Sequence, residues 1–231
     1  MKKIFVLFMI MLGLTSVSYA NESTDEGIFF YPNKHNYIIA GRDKNGIENI
    51  KFQIGLRINL VDNTCFNFAF NQKSFWDIGR ESAPFREHNY NPELFCQLEK
   101  VKFGYEHESN GRDGVESRSW ERISVTTIQK ANDYLTFVFK VWSPFFYAKE
   151  NKDIIHYYGY GELTGSLAYS EHFEIRMNAR KRSLLTDLMI GRYVSNIMIH
   201  IQHFQGIGES LIDYNKYDKN TRIGVTFSNG F

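Results

Sequence analysis

Apolar and polar residues alternate along most of this chain with a period of two. That spacing puts one set of side chains on each face of a β-strand. Ile50, Phe52, Ile54, Leu56, Ile58 and Leu60 alternate with Lys51, Gln53, Gly55, Arg57 and Asn59. The same holds for Phe66, Phe68 and Phe70, for Leu135, Phe137, Phe139 and Val141, and for Phe173, Ile175 and Met177. Ile197, Ile199 and Ile201, then Ile223, Val225 and Phe227, repeat it near the end. The polar rows carry Lys, Arg, Glu and Asn, whereas the apolar rows are almost purely large. A soluble sandwich would turn the polar face to water. These rows suit a barrel with a polar lumen and an outer wall facing lipid.

The pattern predicts twelve strands, starting near residues 36, 50, 64, 92, 101, 119, 134, 154, 171, 183, 196 and 221. An even number fits a closed single-chain barrel. The expected fold is all-β, a 12-stranded antiparallel transmembrane β-barrel of the bacterial outer membrane. Alternating the strands from a periplasmic start puts the longer connectors, 75–91, 110–118, 145–153 and 208–219, outside the cell. Tight turns at Glu99-Lys100, Ala131-Asn132 and Tyr169-Ser170 then face the periplasm, as does Phe231. Glu209, Asp213 and Asp218 read as acids of a solvated loop.

Composition supports export. Lys2 and Lys3, the apolar run Ile4 to Leu14 and Ser18-Tyr19-Ala20 form a secretory signal over residues 1–20. Residues 21–231 are then one barrel domain, with 21–35 as an N-terminal arm. No other apolar run is long enough for a spanning helix. Aromatics reach 16%, with 20 Phe and 14 Tyr. A net charge of +1 provides no field for nucleic acid. By the alternation, Cys65 lies on a polar face and Cys96 on an apolar one, so two free thiols are expected.

Chemistry concentrates between His107 and Arg122. His107 and Ser109 share the lipid-facing row of Val101, Phe103 and Tyr105, while Glu106 and Glu108 point inward. The next strand returns with Ser117, Ser119 and Glu121 on the row of Ile123 and Val125. A His, a Ser and a Glu thus project from neighbouring strands into one lipid-facing patch, where isolated polar groups are unfavourable. An imidazole beside a hydroxyl can act as general base, with a carboxylate behind it to orient the ring.

The run Tyr105-Glu106-His107-Glu108-Ser109-Asn110-Gly111-Arg112 and then Ser117-Arg118-Ser119-Trp120-Glu121-Arg122 resembles the outer-membrane phospholipase A family. The resemblance extends through Gln72-Lys73-Ser74-Phe75-Trp76, Ser82-Ala83-Pro84-Phe85-Arg86-Glu87 and Gly206 to Tyr214. It implies Ser109 as nucleophile, His107 as its base and Glu121 in the orienting place, where the family has Asn. It implies a Gly111 amide at the oxyanion, and calcium held by the Arg112 carbonyl, the Ser117 hydroxyl and Ser82 across a homodimer. Asp113 and Glu150 fall near the family's acidic calcium contacts, and Gln72 at a polar dimer-interface position.

The resemblance implies a calcium-dependent outer-membrane phospholipase that acts at the A1 and A2 esters of glycerophospholipids and on lysophospholipids and is activated by dimerisation. The strand alternation puts the expected site towards the extracellular leaflet. The alternatives are a non-catalytic barrel, such as a small pore or structural protein, and another barrel hydrolase.

Overall fold

The computed structural model describes residues 31–43, 45–62, 64–170, 172–191 and 197–227. The expected signal segment, the first residues of the arm and Phe231 lie outside them. The strands are β1 (Tyr31–Pro32), β2 (Asn36–Arg42), β3 (Glu48–Asn59), β4 (Phe66–Trp76), β5 (Phe85–Gln97), β6 (Val101–Ser109) and β7 (Ser119–Lys130). They continue with β8 (Leu135–Tyr147), β9 (Gly161–Ser170), β10 (Phe173–Arg180), β11 (Ser183–Gly191), β12 (Ile197–Ile207) and β13 (Tyr217–Phe227). Each of β2 to β13 pairs antiparallel with its sequence neighbours. The β13–β2 ladder, Phe227↔Asn36 to Thr221↔Arg42, closes these twelve into a barrel.

Burial is inverted relative to a soluble fold. Phe66, Leu94, Phe103, Ile123, Val141, Met177, Ile199 and Ile223 are exposed on the outer wall. Lys51, Asn71, Glu93, Glu106, Arg122, Asp187, Gln202 and Arg222 are buried in the lumen. The alternation therefore has the sense expected of a wall facing lipid.

Long connectors 77–84, 110–118, 148–160 and 208–216 share one rim, and short turns occupy the other. The third holds helix α1 (Ile154–Tyr158) and the fourth folds into the mouth. Ile154 and Tyr158 pack with Leu211 and Tyr214 on Trp120 and Trp142, closing that end. Glu209 is buried against Lys51 and Arg222, so it is not a solvated loop acid. A lumen cavity beside Lys34, Glu108, Arg122 and Arg180 is about 130 Å³, room for a few waters.

Two predicted strand starts shift by seven residues, and the strand expected from 221 begins four residues earlier, at Tyr217. The strand expected from 92 begins at Phe85, because polar residues 86–91 continue the barrel above the apolar band. The one expected from 154 begins at Gly161, because Ile154–Tyr158 is helix.

The cysteine expectation is overturned. Cys65 and Cys96 form a disulfide across the short-turn rim, with Cα atoms 4.6 Å apart. Cys65 precedes the first residue of β4, so strand alternation does not set its direction; Cys96 faces Phe66 in the β4–β5 ladder.

The arm enters the barrel rather than trailing from it. β1 extends the edge of β3 beyond the end of β2, pairing Tyr31↔Arg57 and Pro32↔Leu56. Asn33 donates from its backbone to the Gly55 carbonyl and from its side chain to Asn71 at 3.0 Å. A Cβ at Gly55 would lie 2.6 Å from Asn71 Oδ1 and 3.1 Å from the Lys34 nitrogen, so only Gly lets the arm this close.

Candidate active site

β6 and β7 pair with His107 directly opposite Glu121 and Ser109 opposite Ser119. Ser109 and His107, two residues apart, share the outer face, about 7 Å apart along the strand. His107 Nδ1 lies 3.5 Å from Glu121 Oε1, and both side chains are about a third exposed. Nε2 is the ring nitrogen left for Ser109. Among the described residues no hydrogen bond joins Ser109 to His107; contacts of this kind are often long without substrate.

Proline interrupts the sheet on both sides of this pair. Pro92 on β5 stands where a ladder partner of His107 would be, and pairing skips from Tyr90↔Ser109 to Glu93↔Glu106. Proline has no N–H to give. The Asn91 side chain supplies the donor instead, reaching the His107 carbonyl at 2.9 Å. On the other side Pro144 pairs with Arg122, and a bulge falls between Glu121 and Arg122. Bulges of this sort re-aim side chains next to active sites.

Residues 110–118 join the two strands. Buried Asn110 spans this loop: its Oδ1 accepts from the Arg118 N–H at 3.0 Å and the Arg112 N–H at 3.3 Å, and its Nδ2 donates to the Glu116 carbonyl at 2.8 Å. Gly111 takes φ +63°, a left-handed conformation that favours glycine. Asn151, fully buried in loop 148–160, brackets Ser119: it accepts from that residue's N–H at 3.2 Å and donates to its carbonyl at 3.1 Å. Inside the barrel, Trp120 and Arg122 donate to Glu108, and Arg122 and Ser124 to Glu106.

The Arg112 carbonyl and the Ser117 hydroxyl carry no protein hydrogen bond among the described residues. Both are oxygen donors, the kind a hard cation such as calcium takes. The acids are dispersed: no group of three or more His, Cys, Asp or Glu side chains forms a metal cluster among the described residues. Asp113 precedes the 3-10 turn Gly114–Glu116, and Glu150 lies in a second turn, Lys149–Asn151. Ser82 sits on the 77–84 loop with φ 61°. Gln72 is on the outer wall and donates to Ser74 at 3.0 Å, which in turn contacts His88 Nδ1 at 2.8 Å. His200 is structural, held by Asp187 at 2.8 Å.

Sequence reasoning did not single out Asn91, Asn110 or Asn151. The two prolines were a readable signal of broken pairing, whereas nothing in the spacing marks the amides that compensate.

A closed barrel with an apolar outer wall, bearing His, Ser and Glu on that wall at its loop rim, has the architecture of an outer-membrane barrel hydrolase. The family model for Phospholipase A1 matches residues 17–228. The chain belongs to that family. The Phospholipase A1 of Klebsiella pneumoniae is 31% identical over 87% of this chain and 82% of its own length. That of Escherichia coli strain K12 is 32% identical over 77% of this chain and 68% of its own. The solved structure of Escherichia coli outer membrane phospholipase A superposes with a TM-score of 0.80 at 26% identity, over 91% of this chain and 96% of that one. The Salmonella typhi outer membrane phospholipase, a dimer with bound calcium, superposes with a TM-score of 0.79 at 26% identity, with the same coverage.

Proposed function

We propose that this chain is a calcium-dependent phospholipase of the outer membrane that cleaves both acyl esters of glycerophospholipids, and lysophospholipids, by a Ser-His mechanism. Residues 1–20 act as its export signal, and the remainder forms a single barrel domain. The observation that carries the reading is the placement of His107, Ser109 and Glu121 on the wall that faces lipid. Acyl chains can lie along that wall while the ester reaches the hydroxyl. The long-loop rim faces outward from the cell, which puts the site at the outer leaflet.

Ser109 Oγ attacks the ester carbonyl as His107 Nε2 takes its proton. Collapse expels the glycerol oxygen, to which His107 returns that proton. Water, activated by the same imidazole, then frees the fatty acid. Glu121 orients the ring through Nδ1 and stabilises its charged form. The Gly111 N–H donates to the oxyanion. The Arg112 carbonyl, the Ser117 hydroxyl and a Ser82 contributed across a dimer would hold calcium, with Asp113 and Glu150 supplying negative charge nearby. Bound there, calcium would supply Lewis-acid polarisation of water. Gln72 would pair across the same dimer, where a wall-facing amide gains a partner.

A pore is the rival reading, and the packed lumen speaks against it. The test is fatty-acid release from phosphatidylcholine by refolded protein in detergent with calcium. We expect release by the wild type and none by Ser109→Ala, with chelation abolishing activity. Release that survives Ser109→Ala would overturn the mechanism.

A further inference from the structure

We infer that the N-terminal arm positions the catalytic histidine, through a relay from Lys34 to Asn91 to the His107 backbone. The inference rests on the proposed role of His107.

Pro92 removes the ladder donor that the His107 carbonyl would otherwise receive. Asn91 Nδ2 takes its place at 2.9 Å, from inside the barrel. An amide side chain is not a ladder N–H: it can rotate, and it donates only if its other end is held. Lys34 holds that end, donating from Nζ to Asn91 Oδ1 at 3.0 Å. Because an ammonium has only donors, it fixes which end of the amide points to His107. Lys34 is itself fixed by Glu93 at 3.2 Å, and Glu93 by Lys102 at 2.6 Å. The arm carries Lys34 into the lumen through the Asn33–Gly55 and Asn33–Asn71 bonds. Asn91 is 6% exposed, so water does not readily replace it.

His107 therefore has its backbone fixed by a charge-oriented amide anchored at the far rim. A wall residue beside a broken ladder would otherwise vary in pleat, and the imidazole with it. Asn91 and Lys34 are positioning residues; neither faces the outer wall.

The test uses the full refolded protein and measures the second-order rate at which a fluorophosphonate modifies Ser109, alongside kcat and KM on phosphatidylcholine. Asn91→Asp keeps the shape and the pairing with Lys34 but cannot donate to a carbonyl. It should slow both labelling and kcat about tenfold with KM unchanged, the scale of one hydrogen bond lost at the transition state. Lys34→Met, which leaves Glu93 paired with Lys102, should slow labelling about threefold, since the amide stays but loses its orientation. The double variant Cys65→Ser/Cys96→Ser weakens the barrel at the other rim and should label at the wild-type rate. Wild-type labelling rates in Asn91→Asp and Lys34→Met would overturn the inference, as would equal slowing in the cysteine variant. If Asn91→Asp does not fold, Lys34→Met decides alone. A wild type that neither labels at Ser109 nor releases fatty acid would instead refute the proposed function.

Discussion

Glu209→Gln tests whether buried charge holds the loop that closes the barrel mouth. The carboxylate lies 3.0 Å from Lys51 Nζ and 2.6 Å from Arg222 Nη1, and Asn220 donates to it at 2.9 Å. The three charged side chains are at most 4% exposed, so solvent screens little of the interaction. Gln keeps the shape and one acceptor but leaves two buried cations without their counter-charge. Removing one partner of a buried ion pair costs about 3–5 kcal/mol, and two stranded cations argue for the upper half of that range. With a guanidinium slope of about 4 kcal/mol/M, the unfolding midpoint in detergent micelles should fall by about 1 M. Tryptophan fluorescence reports it, because Leu211 and Tyr214 of the same loop pack with Trp120 and Trp142.

The pH dependence adds a second constraint. Burial alone would raise the Glu209 carboxyl, but Lys51 and Arg222 outweigh it and hold the group well below the usual carboxylate range. A carboxylate depressed on folding stabilises above its unfolded pKa, about 4.3, and loses that stabilisation as pH falls through the folded value. The gap between wild type and variant should be full at pH 7 and begin to close below about pH 4. A cost under about 1 kcal/mol at pH 7, the worth of an ordinary hydrogen bond, would refute the reasoning. So would a gap that does not change with pH.

Three further outcomes follow from the same structure. Cys65→Ser/Cys96→Ser opens a cross-link spanning 31 residues, which chain entropy values at about 3.7 kcal/mol; unfolding without reductant should show a loss of up to that size, with fatty-acid release unchanged at a temperature where both proteins are folded. Gly55→Val drives a side chain into Asn71 and the Lys34 backbone and should cost about 1–3 kcal/mol, with the arm becoming open to protease; continued protease protection would count against the close approach described. Glu121→Asn should stay within about tenfold of wild-type release, because an amide also orients the imidazole, whereas Glu121→Leu should lose about 100-fold in kcat; equal rates for Asn and Leu variants would remove Glu121 from the mechanism.

The barrel was legible because period two is a direct projection of the wall: Phe66, Phe68 and Phe70 needed no tertiary information to be assigned outward. The shared outward face of His107 and Glu121 followed from the same alternation on either side of one loop, whereas their direct opposition is set by the ladder register. What escaped depends on contacts distant in sequence. Glu209 looked solvated because its partners Lys51 and Arg222 come from other strands. Ile154–Tyr158 carried a short apolar run that fits strand and helix alike. Cys65 was assigned a face although it stands outside its strand. Nothing in the spacing marks Asn91, and only the gap opposite Pro92 gives it a task.

Period two also explains why a packed lumen and the proposed active site on the outer wall belong together. Every outward residue has inward neighbours on its own strand, so each reacting group is mounted on side chains that face the interior. Glu106 and Glu108 flank His107 and bind Arg122 and Trp120, which flank Glu121. Asn91 fixes the His107 carbonyl from the lumen, and Asn151 fixes Ser119, the partner of Ser109, from the rim loop. Lipid offers no hydrogen bonds with which to order a polar triad. The ordering has to come through the backbone from the other side of a wall one residue thick, and an aqueous pore there would replace those fixed partners with mobile water. On this view the closed lumen is the rigid mount of the proposed lipid-facing site.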